Sequence, residues 1–150
     1  NIKYTESSKI NFKFLGDGPL IAEIKKFVNK NKLKNVDILG HINSPEEYLN
    51  KSKIFISIQQ KNNYPSQSLL EAMASENAII ASDVGETRKL ISEDEGLLVE
   101  LDPNKISNAL IFLFKNEKVR NHLAKNARQK VLSEHSVENY LAYFYKLEDL

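Results

Sequence analysis

The chain carries, at residues 63–74, the sequence NYPSQSLLEAMA, in which a polar turn leads straight into a helix with one acidic side chain. Just before it, Ile54 to Ile58 is a β-branched and aromatic run that suits a strand and is short for a helix. The two segments together indicate a strand-to-helix junction. The first N–H groups of such a helix lack intrahelical partners, and its dipole favours an anion by about 0.3–1 kcal/mol. We therefore expect that a phosphate fits there.

Up to Val99 the sequence alternates short apolar runs with helical segments. The first of these helices has one apolar face, formed by Leu20, Ile21, Ile24, Phe27 and Val28. This alternation predicts a parallel sheet with helices on both of its faces. In such a sheet ligands bind beyond the carboxyl ends of the strands, where we expect a common edge bearing Gly16, Gly40, Tyr64 and Gly85.

From Asp102 onward the pattern is entirely helical. Three apolar stripes follow one another, and the last of them is rich in aromatic residues: Val137, Tyr140, Leu141, Phe144 and Leu147. An aromatic stripe of this kind is most often core, and the alternative is a surface that faces a partner.

Composition excludes several classes of protein. The 150 residues are 41% hydrophobic, which suits one compact domain over 1–150. Twenty-one basic residues against twenty acidic ones leave no strong field for nucleic acid. No apolar run approaches the roughly 20 residues of a membrane span. The chain has no cysteine, which suits a reducing compartment, so we expect a soluble protein in the cytoplasm.

Residues 65–74 resemble the signature of the retaining, nucleotide-sugar-dependent glycosyltransferases of the GT-B fold, the group 1 or family 4 type. The resemblance extends from about Phe12 to about Ser136, with further matches at Phe14–Pro19, Val36–Ile42, Ala78–Thr87 and Gly96–Val99. It implies the C-terminal half of a GT-B enzyme, a Rossmann-like parallel sheet with a helical C-terminal tail. The chain would be one nucleotide-sugar-binding domain over 1–150, without the N-terminal acceptor domain.

That resemblance also implies a function. The chain would hold the donor while a sugar passes from a nucleotide diphosphate to an unidentified acceptor, as in polysaccharide biosynthesis. Its partners would be the nucleotide sugar and the N-terminal domain of the same protein, and any peripheral membrane contact would run through that domain. As a hexosyltransferase fragment, the chain alone would be inactive, and no cofactor is implied.

Site residues follow from the resemblance position by position. Glu71 matches the carboxylate that binds the donor ribose, whereas on spacing alone a lone helical glutamate is usually just solvated. The loop around the diphosphate and sugar corresponds to Ser66, Gln67 and Ser68, with Gly85 after the next strand. Candidates beside the nucleotide are Gly16, Gly18, His41 and Ile42. The alternatives without a binding role are that the glycines simply form turns and that His41 lies in a solvent-exposed turn.

One departure from the family pattern is Asn63, which stands where the first of two glutamates usually contacts the donor sugar. Asn62 and Asn63 can hydrogen-bond sugar hydroxyls but offer no charge, and both also suit the turn before Pro65. Arg88 stands where an acidic residue is common, and we expect it on the surface.

The family's first strand, which carries an arginine and a lysine for the diphosphate, has no counterpart before Phe12. Either a remnant around Ile2 to Tyr4 fills part of the gap, or the sequence is not the whole domain. We therefore expect a less well closed domain. No residue set has metal-ligand spacing, and no catalytic residue is assigned. Two other functions stay open: a nucleotide-sugar epimerase of the same fold and a noncatalytic nucleotide-sugar-binding module.

Overall fold

A computed structural model describes residues 10–148, apart from the side chains of residues 143 and 146–148. The remnant strand expected around Ile2 to Tyr4 lies outside the described residues, as does the side chain of Leu147. The elements run in the order β1 (Phe12–Leu15), α1 (Ile21–Lys30), β2 (Val36–Gly40), α2 (Glu46–Leu49), β3 (Ile54–Ser57), α3 (Gln67–Ala74), β4 (Ala78–Ser82), α4 (Thr87–Leu90), β5 (Gly96–Val99), α5 (Pro103–Lys115), α6 (Glu117–Glu134) and α7 (Val137–Glu148).

The strands form two parallel sheets, β1-β2 and β3-β4-β5. The predicted α/β class and the parallel direction are confirmed, but the sequence predicted one sheet. Alternation of strands and helices fixes the direction of each strand without fixing its neighbours. The chain divides accordingly into two compact units, Asn1–Pro45 and Glu46–Leu150, which we call the first and second units. The expectation of one domain over 1–150 stays a prediction.

The first unit is a β-α-β segment with a thin core. Strands β1 and β2 pair from Phe12 opposite Val36 to Leu15 opposite Gly40, with an irregularity after Phe14. None of residues 10–45 is fully buried. On α1 the predicted apolar face is only partly covered, since Leu20 and Phe27 are each 61% exposed.

The second unit has a dense core around β4, whose five residues are all buried between β3 and β5. Helix α3 buries Leu69 and Met73 against it. The α6 residues Ala127 and Val131 belong to the same core. Arg128 of α6 also donates a hydrogen bond to the carbonyl of Ala74, at the last turn of α3. The core thus joins α3 to a helix far along the chain.

Two polar side chains brace the second unit from within. Arg120 is 6% exposed and donates from Nη1 to the Leu113 carbonyl at 3.1 Å, at the end of α5. Asn77 is fully buried and donates to the Leu49 carbonyl at 3.0 Å, which ties the end of α2 to the start of β4. At its other end α5 is capped by Asp102, whose side chain accepts from the N–H groups of Asn104 and Lys105. Buried polar groups are thus used to join helix ends to neighbouring segments.

Helix α7 keeps its apolar stripe on the surface. Tyr140 is 63% exposed and Phe144 47% exposed, and their rings lie 4.8 Å apart. Val137, Leu141 and Tyr145 are exposed as well. The expectation that this stripe is core is therefore wrong for this chain. Helical periodicity shows that residues share a face but not that another element covers it. Within residues 10–148, no helix combines the length and the apolar character that a bilayer span requires.

Candidate functional site

The candidate site of the second unit lies where β3 and β4 end and α3 begins. Buried serines occupy all three of these positions: Ser57 at the end of β3, Ser82 at the end of β4 and Ser66 just before α3. Apolar strands bring these positions together in the core, and each serine places a hydroxyl there. The result is a polar junction under the loops that follow the two strands.

Gln59 connects the three serines. The Ser82 Oγ accepts from the Gln59 backbone N–H at 2.8 Å and donates to the Gln59 carbonyl at 2.9 Å. The side-chain amide of Gln59 donates to the Ser66 Oγ at 3.3 Å and to the Ser57 Oγ at 3.4 Å. Gln59 was not among the residues predicted for the site. Its only sequence signal is that it is a polar residue two positions after the end of β3.

Ser66 occupies the N-cap position of α3 without capping the helix. Its backbone is extended and its carbonyl accepts the first intrahelical bond, from the Leu70 N–H at 3.0 Å. Yet its side chain makes no cap hydrogen bond; it is 3% exposed and lies against Gln59 and the Ser68 hydroxyl. Among the described residues, the N–H groups of Gln67, Ser68 and Leu69 have no hydrogen-bond partner.

Glu71 lies one turn further along α3. Leu69 and Met73 point into the core, while Glu71 is half-buried and its Oε1 accepts from the Gln67 side chain at 3.0 Å. Residues four apart on a helix share a face, so Gln67 and Glu71 present an amide and a carboxylate side by side. The helix therefore combines unpartnered N–H groups with a hydrogen-bond-accepting carboxylate about 5 Å further along its axis.

Asn62 and Gly85 join the loop after β3 to the loop after β4. The Asn62 Oδ1 accepts from the Glu86 N–H at 3.1 Å. Gly85 has φ +55°, and a Cβ built there would lie 2.5 Å from the Asn62 side chain. Glycine is therefore required at residue 85 both by its conformation and by the close approach of Asn62. The Asn62 Oδ1 is occupied by its hydrogen bond from the Glu86 N–H. The local sequence does not predict this hydrogen bond.

Asn63 is exposed and borders a small cavity. The cavity has a volume of about 10 Å³, near the minimum for one water molecule. Its lining is mostly neutral and polar: Ser57, Gln59, Asn63, Tyr64, Ser66, Leu69, Ser82, Thr87 and Leu90. No carboxylate lies in this lining.

Ion pairs border the loop after β4. Lys89 binds the Glu86 carboxylate, and its ammonium lies 5.4 Å from the centre of the Tyr64 ring. The hydrogen bond to Glu86 and the charge of Glu86 raise the pKa of Lys89. Arg88 is exposed, as predicted, and pairs with Asp83. These pairs place basic groups at the same surface as Tyr64 and Asn62.

The remaining candidates belong to the first unit. Gly16 follows β1 with φ +122°, and its N–H donates to the Gly40 carbonyl at 2.7 Å, so these two strand ends adjoin. The Gly18 N–H donates to the Asp17 side chain at 2.8 Å. His41 is exposed and Ile42 half-buried, directly after β2. Each unit thus gathers its own candidates at its strand ends, and the roles of all these residues stay predictions.

Metal binding finds no donor set in this part of the molecule. Among the described residues, no three histidine, cysteine, aspartate or glutamate side chains lie close enough together to hold an ion.

Similarity to solved structures defines the class of the fold. The C-terminal domain of a glycosyl transferase group 1 family protein, LpcC, from Francisella tularensis superposes with a TM-score of 0.69 at 21% identity, over 88% of this chain and 91% of that one. HepE of Anabaena, in complex with UDP-glucose, gives a TM-score of 0.84 at 14% identity over 97% of this chain and 44% of that one. The fold is that of the C-terminal domain of a GT-B protein, as predicted.

Sequence comparison then gives the family. The family described as Glycosyl transferases group 1 matches residues 1–130, and the chain belongs to it. An uncharacterized glycosyltransferase of Methanocaldococcus jannaschii is 30% identical over 123 residues, which is 79% of this chain and 35% of that protein. The chain thus spans about a third of the length of this relative.

Proposed function

We propose that the chain is the donor-binding half of a glycosyltransferase that transfers a sugar from a UDP-sugar to an acceptor. Family membership supports the reaction class, and the complex of HepE with UDP-glucose supports the choice of donor. The acceptor would be bound largely by the part of the protein that this chain lacks. The chain alone is accordingly expected to be inactive.

The observation that carries the proposal is the arrangement on α3. Three N–H groups without partners, at residues 67–69, precede Glu71 on the same short helix. A diphosphate at the N-terminus of α3 would accept from these groups and gain from the helix dipole. The adjoining ribose would then lie about one turn along the helix, at the Glu71 carboxylate. Donors fixed in this way stabilise the charge that develops on a leaving diphosphate.

Glu71→Gln in the full-length protein tests the ribose contact. Glutamine keeps the shape of the side chain and its partner Gln67 but removes the charged acceptor. We expect UDP affinity to fall about 10–100-fold, since a hydrogen bond to a charged group contributes about 1.5–3 kcal/mol. Isothermal titration with UDP, with a UDP-sugar and with uridine should show the same loss, because all three carry the ribose.

Glu76→Gln is the matched control, because Glu76 is an exposed glutamate just past the other end of α3. Its affinity for UDP should equal that of the parent. If Glu71→Gln also binds UDP as the parent does, Glu71 is a surface residue and the assignment is wrong. Titrations in chelator and in excess Mg²⁺ check that UDP binding needs no metal from the protein. Asn63→Ala should weaken the UDP-sugar more than UDP.

A noncatalytic binding module is the second candidate, favoured by Asn63. This residue stands where the resemblance places a carboxylate, and it is neutral and exposed beside a cavity lined without a carboxylate. The full-length protein would then bind UDP-sugars but neither hydrolyse nor transfer them. Product analysis with a panel of UDP-sugars separates the two functions and also reveals an epimerase.

A further inference from the structure

Ser66 is a serine in the right place to cap α3, and it does not cap it. Serine is among the most favoured N-cap residues because its hydroxyl accepts from the second or third N–H of the helix. The Ser66 backbone has the required extended conformation, with φ −82° and ψ 111°. What differs is the side chain, whose Oγ accepts from Gln59 and lies 3.4 Å from the Ser68 Oγ. The local sequence predicts a cap that the tertiary structure prevents.

Gln59 is itself held in place independently of Ser66. Both its backbone N–H and its carbonyl bind the Ser82 hydroxyl, at 2.8 and 2.9 Å, and Ser82 is 1% exposed. The side-chain amide of Gln59 therefore leaves from a fixed backbone position towards Ser66. Ser66 cannot rotate towards α3 without giving up this hydrogen bond from the Gln59 amide.

We propose that Gln59 is a positioning residue for the diphosphate: it keeps the Ser66 hydroxyl away from α3 so that the first N–H groups of this helix stay free for the donor. The inference rests on the proposed function and deepens it. A hydroxyl cap and a diphosphate would compete for the N–H groups of Ser68 and Leu69, because each amide hydrogen makes one strong bond. By excluding the cap, Gln59 would keep the site in its binding-competent form.

Gln59→Met in the full-length protein removes the amide but keeps the length of the side chain and the two backbone bonds to Ser82. Ser66 is then free to cap α3, so we expect UDP affinity to fall about 3–30-fold, the range that corresponds to an N-cap in competition. Uridine affinity should stay at the parent value, since uridine carries no diphosphate. Amide hydrogen exchange at Ser68 and Leu69 should become slower in the variant without ligand.

The decisive measurement is the double variant Gln59→Met/Ser66→Ala. Without a hydroxyl at residue 66 there is no competing cap, and UDP affinity should return to within about 3-fold of the parent. A Gln59 that merely supported the local structure would give no such recovery, because the second substitution would add damage. Gln60→Met is the matched control: it changes the same residue type at the next, exposed position and should leave UDP binding unchanged.

Each alternative result has a distinct meaning. Parent-like UDP binding by Gln59→Met overturns the inference, and so does a loss that Ser66→Ala fails to restore. A loss of uridine binding equal to that of UDP also overturns it, because the effect would not act through the diphosphate. If the parent binds no UDP at all, the proposed function fails and the inference fails with it. If Glu71→Gln weakens both UDP and uridine binding but Gln59→Met binds UDP as the parent does, the proposed function survives and the inference alone fails.

Discussion

The two compact units differ in what holds their strand ends in place. In the second unit, β4 is buried along its whole length, and α3 and α6 close the core beside it. In the first unit, β1 and β2 pair with each other, but none of residues 10–45 is fully buried. The same β-α-β pattern thus gives a rigid support for Glu71 and a weaker one for Gly16 and His41. Apolar burial, and not local pattern, makes the difference.

Matched isoleucines give the sharpest test of this difference. Ile80 and Ile38 are each the third residue of a five-residue parallel strand, β4 and β2. Ile80 is fully buried, so Ile80→Ala should lower the free energy of unfolding by about 2–5 kcal/mol. Ile38 is half-buried, so Ile38→Ala should cost about 1 kcal/mol. Urea denaturation of the 150-residue chain measures both.

Equal losses for the two isoleucines would contradict the comparison. The same two substitutions in the full-length protein test the comparison of the two units further. If the rest of the protein covers the first unit, the cost of Ile38→Ala should rise towards that of Ile80→Ala.

A pair of glycines gives the next largest effect. Gly85 and Gly40 both have positive φ, +55° and +72°, which costs an L-residue about 1–2 kcal/mol. A Cβ on Gly85 would also clash with Asn62, whereas a Cβ on Gly40 would meet nothing within 4 Å. We expect Gly85→Ala to destabilise by about 2–4 kcal/mol and Gly40→Ala by about 1–2 kcal/mol, by thermal unfolding.

Asn62→Gly in the Gly85→Ala background separates the cost of the positive φ at residue 85 from the cost of the clash with Asn62. Removal of the Asn62 side chain should recover the part of the loss that comes from the clash. If nothing is recovered, the cost lies in the backbone conformation alone.

The smallest expected difference in stability between the two units comes from their ion pairs, and this difference depends on pH. Burial raises the pKa of Glu95, but hydrogen bonds from the Ser92 hydroxyl and N–H, together with Lys130, outweigh it and lower that pKa. When the pKa of a carboxyl is lower in the folded than in the unfolded chain, the group stabilises the fold at pH values above its unfolded pKa, about 4.3 for glutamate. This stabilisation is lost as the pH falls through the pKa of the folded chain. Glu95→Gln should therefore cost roughly 1 kcal/mol at pH 7 and flatten the decline in stability below about pH 5.

Asp37→Asn is the counterpart in the first unit. The Lys13–Asp37 pair is 2.8 Å long, but its side chains are about half exposed, so the change should stay within about 0.5 kcal/mol and vanish in high salt. Urea titrations between pH 3 and pH 7 measure both variants. A steeper pH dependence of stability for Glu95→Gln than for the parent would contradict the lowered pKa of Glu95.

Local sequence was a good guide wherever a property depends on neighbouring residues. It predicted the strand that begins at Ile54 and the helix that follows the polar turn before residue 67, because spacing and side-chain type decide these features. It failed where a distant partner decides. The turn of Ser66 towards Gln59, the contact of Asn62 with Gly85 and the exposure of the α7 stripe all depend on what lies opposite in space. The family resemblance supplied the candidate positions, but not the hydrogen bonds that occupy Asn62 and Ser66.

The contact between α6 and α3 also bears on how the protein is made. Arg128 reaches the Ala74 carbonyl across 54 residues of sequence, and Ala127 and Val131 complete the core around Met73. During synthesis at about 5–20 residues per second, Met73 waits roughly 3–11 s for these partners to be translated. For that interval the helix that carries Glu71 has an uncovered apolar face, and the interval lengthens as translation slows.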